Sequence, residues 1–79
     1  MTVRDKTLKK RSFAIAGHRT SVALEPEFWT VLQAVAREER VPLAALVARV
    51  DHARGSRNLA SALRVHMLMR ALGKAAPSF

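Results

Sequence analysis

The sequence predicts a mainly α-helical fold with one β-strand, completed by a second copy of the chain into an intertwined homodimer. Three observations lead there. A β-compatible stretch occupies residues 11–24. Three apolar stripes at helical spacing follow it between residues 26 and 72. One strand ahead of helices leaves its own backbone donors and acceptors unpaired, so a two-fold copy of the same strand must close a two-stranded antiparallel intersubunit ribbon.

Size and charge point the same way. With 79 residues there is room for one small domain, and such a domain buries only roughly 60% of the surface its unfolded chain exposes. No cysteine is present to supply a disulfide framework. Oligomerisation is the remaining common way to stabilise so short a chain. Fourteen Lys and Arg against six Asp and Glu give a net charge of +8, a footprint suited to a polyanion. Arg4, Lys6, Lys9, Lys10, Arg11 and Arg19 against Asp5 alone put +5 of that charge in the first nineteen residues. No window approaches the roughly 18 apolar residues of a membrane span, and no apolar signal core follows the basic start, so a cytoplasmic protein without membrane association is expected.

Each element has a local reason. Residues 1–10 are polar and charged without an apolar period and read as a flexible basic arm. The domain proper is expected over 11–72, with a short tail at 73–79. Within 11–24, Phe13 and Ile15 fall on odd positions and Val22 and Leu24 on even ones, so the strand phase must shift near Gly17, by a bulge or a bend. Glu25-Pro26-Glu27 opens a helix: proline suits the first turn, the residue before it prefers an extended backbone, and a carboxylate favours the positive helix end. Phe28, Trp29, Leu32, Val35 and Ala36 carry that helix to about residue 39. Pro42 interrupts, and Leu43, Leu46, Val47 and Val50 form a second, short helix running to the His52–Gly55 region. After the Gly55-Ser56-Arg57 turn, Asn58 is an N-cap for a third helix from Leu59 to about Leu72. Its apolar residues cover more than one stripe, which predicts burial on two sides and hence a partner subunit.

The join Arg19-Thr20-Ser21-Val22-Ala23-Leu24-Glu25-Pro26-Glu27-Phe28-Trp29 resembles the ribbon-helix-helix superfamily of the Arc, MetJ and CopG repressors. Three blocks, "GHRTSVALEPEFW", the second-helix segment ending in Val50-Asp51, and "NLASALRV", together resemble a bacterial subfamily with an added C-terminal helix. The resemblance covers about residues 10 to 70. It implies sequence-specific binding of double-stranded DNA by a homodimer, with the ribbon in the major groove, for repression or autoregulation. It also implies that strand residues of one phase read bases and that the second helix's N-terminus holds a phosphate. With Val22 and Leu24 inward, the base-contacting candidates are Arg19, Ser21 and Ala23. Arg19 suits a bidentate bond to guanine, Ser21 several base edges, and Ala23 a thymine methyl. Phosphate contacts fall to Lys9, Lys10, Arg11, His18 and the backbone N–H groups of Leu43 and Ala44. The small hydroxyl residue familiar at the second helix is replaced by Pro42-Leu43-Ala44, and proline removes a further donor.

Trp29 and Phe28 read as packing residues rather than a stacking site. Met67 and Met69 read as core or dimer interface rather than a cofactor box. His18, His52 and His66 share no metal-ligand spacing, so neither a metal nor another cofactor is expected. Asp51 and Arg64 could form a structural ion pair. No nucleophile, base and orienting group form a set, so no catalytic residue is assigned and no enzyme is expected. The competing function is a protein-interaction or antitoxin-like module docking onto an acidic partner.

Overall fold

The computed structural model describes residues 8–73, which contain β1 (Lys9–Ile15), β2 (His18–Leu24), α1 (Pro26–Glu39), α2 (Leu43–Ala53) and α3 (Leu59–Ala71), in that order. The expected architecture is there: a two-stranded antiparallel ribbon, two helices and an added third one. The ribbon differs in origin. Residues 11–24 are not one strand awaiting a copy; the runs on either side of Gly17 are two strands of one hairpin.

The turn explains the pairing. Ala16 and Gly17 connect the strands with φ of 52° and 82°, and positive φ at both central residues is the type I′ arrangement whose twist matches that of the flanking strands. A two-residue connection pairs Ile15 with His18 and Phe13 with Thr20, so odd positions of β1 face even positions of β2. The change of phase that suggested a bulge is a consequence of the turn, and both runs bury their apolar residues on the same side. Lys9 and Lys10, read from sequence as the end of an arm, open β1; the rest of the arm, residues 1–7, and the tail beyond Gly73 lie outside the described residues.

Phe13, Ile15, Val22 and Leu24 line the ribbon's inner face and join Trp29, Leu32, Val35 and Ala36 of α1, Leu46, Val47 and Val50 of α2, and Leu59, Ala62, Leu63 and Met67 of α3 in one core. Trp29 ties the layers together: its ring lies 6.0 Å from that of Phe13, and its indole N–H donates to the Lys9 carbonyl at 2.8 Å. A buried indole needs such a partner, because an unsatisfied N–H away from water is costly.

The helix ends follow their residues. Pro26 sits in the first turn of α1 with Glu27 behind it. Arg40 ends that helix in the left-handed region at φ 60°, and the Val41 N–H returns to the Ala36 carbonyl at 2.9 Å, a closure of the kind that satisfies terminal carbonyls. Asn58 caps α3 as expected, its side chain accepting from the Ser61 N–H at 2.8 Å.

Candidate nucleic-acid interface

Alternation along the hairpin separates its two faces. Lys9, Arg11, Phe13 and Ile15 share the helix-facing side with Leu24, Val22, Thr20 and His18, their partners in register. The outward side carries Lys10, Ser12 and Ala14 of β1 opposite Ala23, Ser21 and Arg19 of β2. All three base-contacting candidates therefore lie on one exposed face, with Ala23 half-buried. Sequence reasoning missed that β1 doubles this face. The signal was available in the parity of the two runs, which a two-residue turn requires to differ.

Ser12 and Ser21 face each other at the centre of the outward side, their Oγ atoms 2.9 Å apart. One hydroxyl donates to the other, and the second keeps its proton for a further acceptor. The flanking Ala14 and Ala23 have small side chains, so nothing on this face bars close approach of a surface to the two hydroxyls, Lys10 and Arg19. Residues 8–24 contain no Asp or Glu, and among the described residues no carboxylate forms an ion pair with Lys9, Lys10, Arg11 or Arg19.

The phosphate-contacting candidates divide. Lys10 stands on the outward face, whereas Lys9, Arg11 and His18 belong to the opposite side of the ribbon. The Arg11 guanidinium lies 5.4 Å from the centre of the Trp29 ring, a cation–π contact that holds it against α1. Leu43 and Ala44 open α2, where the Ala45 and Leu46 N–H groups donate to the Pro42 carbonyl at 3.0 and 3.2 Å. The N–H groups of Leu43 and Ala44 remain first-turn donors without an intrahelical acceptor. No side chain caps this helix end.

Elsewhere four arginines, Arg49, Arg54, Arg64 and Arg70, pair with carboxylates. Asp51 and Arg64 are not partners: Asp51 accepts from Arg54 at 2.7 Å and Arg64 donates to Glu25 at 3.2 Å. Each found a nearer counter-charge, Arg54 three residues along the chain and Glu25 at the start of α1. Arg49 and Arg70 converge on Glu39, with Arg70 also meeting Glu38. Their hydrogen bonds hold the Glu39 carboxyl below the usual carboxylate range, and Glu39 in turn raises Arg70. Partial burial lowers His66, with Glu39 opposing the shift and Arg70 and Arg49 adding to it. His18, His52 and His66 lie on three different elements, and among the described residues no group of three or more His, Cys, Asp or Glu could hold a metal ion. No helix there is long and apolar enough to cross a membrane.

A family model described as "Ribbon-helix-helix domain" matches residues 8–71, from the start of the hairpin to the end of α3. The chain belongs to the ribbon-helix-helix family. In general that family comprises DNA-binding regulators that act as dimers and are typically not enzymes. The chain matches no curated protein and no solved structure. Within this ribbon-helix-helix domain the match spans both strands and all three helices, so the hairpin and α3 are part of the family pattern and not appendages to it.

Proposed function

We propose that the chain binds double-stranded DNA as a homodimer by laying the outward face of its ribbon in the major groove, and that it serves as a cytoplasmic transcriptional repressor or autoregulator. The observation that carries this reading is the composition of that face: Lys10, Ser12, Ala14, Arg19, Ser21 and Ala23 together, with no carboxylate anywhere in residues 8–24. The major groove admits a two-stranded ribbon, and its base edges offer acceptors to Arg, donors and acceptors to Ser, and thymine methyls to Ala. Arg19, Ser21 and Ala23 read bases. Lys10 and the N–H groups of Leu43 and Ala44 fix the duplex through its phosphates, and Lys9, Arg11 and His18, exposed on the other side of the ribbon, reach phosphates only past the ribbon's edge.

Selection of bound duplexes from a random DNA pool at near-physiological salt tests the reading. Enrichment of a palindromic motif is expected. Recovery of unenriched DNA, or of none, would overturn sequence-specific binding and favour docking of the basic face onto an acidic protein.

A further inference from the structure

The two strands of the hairpin carry the same pattern. Lys10-Arg11-Ser12-Phe13-Ala14-Ile15 is matched, nine positions on, by Arg19-Thr20-Ser21-Val22-Ala23-Leu24. Each has a cation, a serine and an alanine on one phase and two buried apolar residues on the other. Because the strands are antiparallel and Ser12 faces Ser21, a local two-fold axis through that pair exchanges Lys10 with Arg19, Ser12 with Ser21 and Ala14 with Ala23. The outward face of a single ribbon is therefore two-fold in its side chains as well as its backbone, apart from lysine standing where arginine would. That exception polarises the face: a guanidinium can form a bidentate bond to a base edge, whereas an ammonium acts as a point charge suited to a phosphate.

Ser12 and Ser21 lie beside that axis, their Oγ atoms 2.9 Å apart, and either hydroxyl can be the donor. One proton is spent between them, so the pair keeps one free proton beside free lone pairs, and that proton can sit on either strand. A free donor next to a free acceptor complements adenine, whose major-groove edge offers the N7 acceptor beside the N6 amino donor. Guanine offers two acceptors there, and one proton cannot meet both. A lone serine, by contrast, turns its hydroxyl freely and suits several base edges.

We infer that Ser12 is a base-reading residue that acts with Ser21 as one hydroxyl pair, selecting an A·T pair beneath the ribbon's own two-fold axis, so that a single chain reads DNA from both of its strands. The inference rests on the major-groove reading above and deepens it, since that reading gives base contacts to β2 alone.

Random-pool selection with the purified full chain, repeated for Ser12→Ala, Ser21→Ala, the double variant and Thr20→Val, tests it, with affinities for the selected duplex and its single-base substitutions measured by titration. Thr20 lies on the helix-facing side, so Thr20→Val removes a hydroxyl from the ribbon without touching the outward face and should keep the wild-type motif. Ser12→Ala and Ser21→Ala should each relax preference at the same A·T pair by about 2–10-fold, the weight of one hydrogen bond. The double variant should lose no more than either single one, as expected of two groups acting as a unit. An unchanged preference in Ser12→Ala, a uniform loss across all duplexes, a G·C pair at the shared position, additive losses, or the same relaxation in Thr20→Val would each overturn the assignment while leaving an enriched wild-type motif in place. A wild type that enriches no motif would instead defeat the major-groove reading itself, and this inference with it.

Discussion

The ribbon and the α1–α3 face are made from the same basic chain, yet they handle charge in opposite ways. On the ribbon, Lys10 and Arg19 stand beside small side chains with no carboxylate within residues 8–24. On the helices, Arg49, Arg54, Arg64 and Arg70 all hold Asp or Glu, and large apolar groups are left at the surface between α1 and α3. Net charge is a poor guide to contact; what matters is where the counter-charges are missing. The ribbon is suited to a polyanion, and the helical face to apolar packing.

Substitutions can act on both regions at once or on either alone. The largest effect is expected where the two regions share a foundation. Leu24 is fully buried at the end of β2, and Leu24→Ala should destabilise the fold by about 2–5 kcal/mol in urea titration, weakening both regions together. Arg19→Ala should act on the ribbon alone, losing about 1–3 kcal/mol of discrimination at one base-pair position without changing sedimentation. A uniform loss across all sequences would reduce Arg19 to a phosphate contact. At the turn, Gly17 has φ 82° with open space around it, so Gly17→Val should cost about 1–2 kcal/mol through backbone strain and not through a clash. Lys10→Ala should weaken binding to all duplexes alike and lower the salt slope by about 0.9, the share of one phosphate.

The mildest effect belongs to the helical face. Partial burial lowers the His66 imidazole from its ordinary value, so the unfolded chain takes up its proton first and stability falls as pH drops below about 6.5. Glu39, held low by Arg49 and Arg70, contributes stability that is lost further down, as pH falls through its folded value. His66→Gln should flatten the decline near pH 6 and leave the lower one in place, as thermal melts across that range would show.

Much of this was legible in the residues. Pro26, the break at Pro42, and the Asn58 cap marked the helices to within a residue or so, because each acts through its own backbone and needs no tertiary partner. The outward phase of Arg19, Ser21 and Ala23 followed from the strand–helix join. The hairpin was harder to read. Type I′ turns are usually announced by Asn-Gly or Gly-Gly, and Ala16 at φ 52° gives no such sign. The two phases of Phe13/Ile15 and Val22/Leu24 held the answer, but one strand with a bulge satisfies the same alternation. Ion pairs were the least legible, since Asp51 had a partner three residues away in Arg54 that competed with the more distant Arg64. The composition of α3 predicted burial on two sides, whereas in the single chain Leu59, Ala62, Leu63 and Met67 are buried and Leu68 and Leu72 are exposed.

The contact between Trp29 and the first strand has one more consequence. The chain has a single tryptophan, and its indole is bonded to the Lys9 carbonyl, flanked by Phe13 and covered by Arg11. Its emission is therefore a built-in optical probe of whether the hairpin is seated on the first helix. Lifting the hairpin would hand the indole to water and shift the fluorescence to the red, so the docking of ribbon on helix can be followed in real time without attaching a dye.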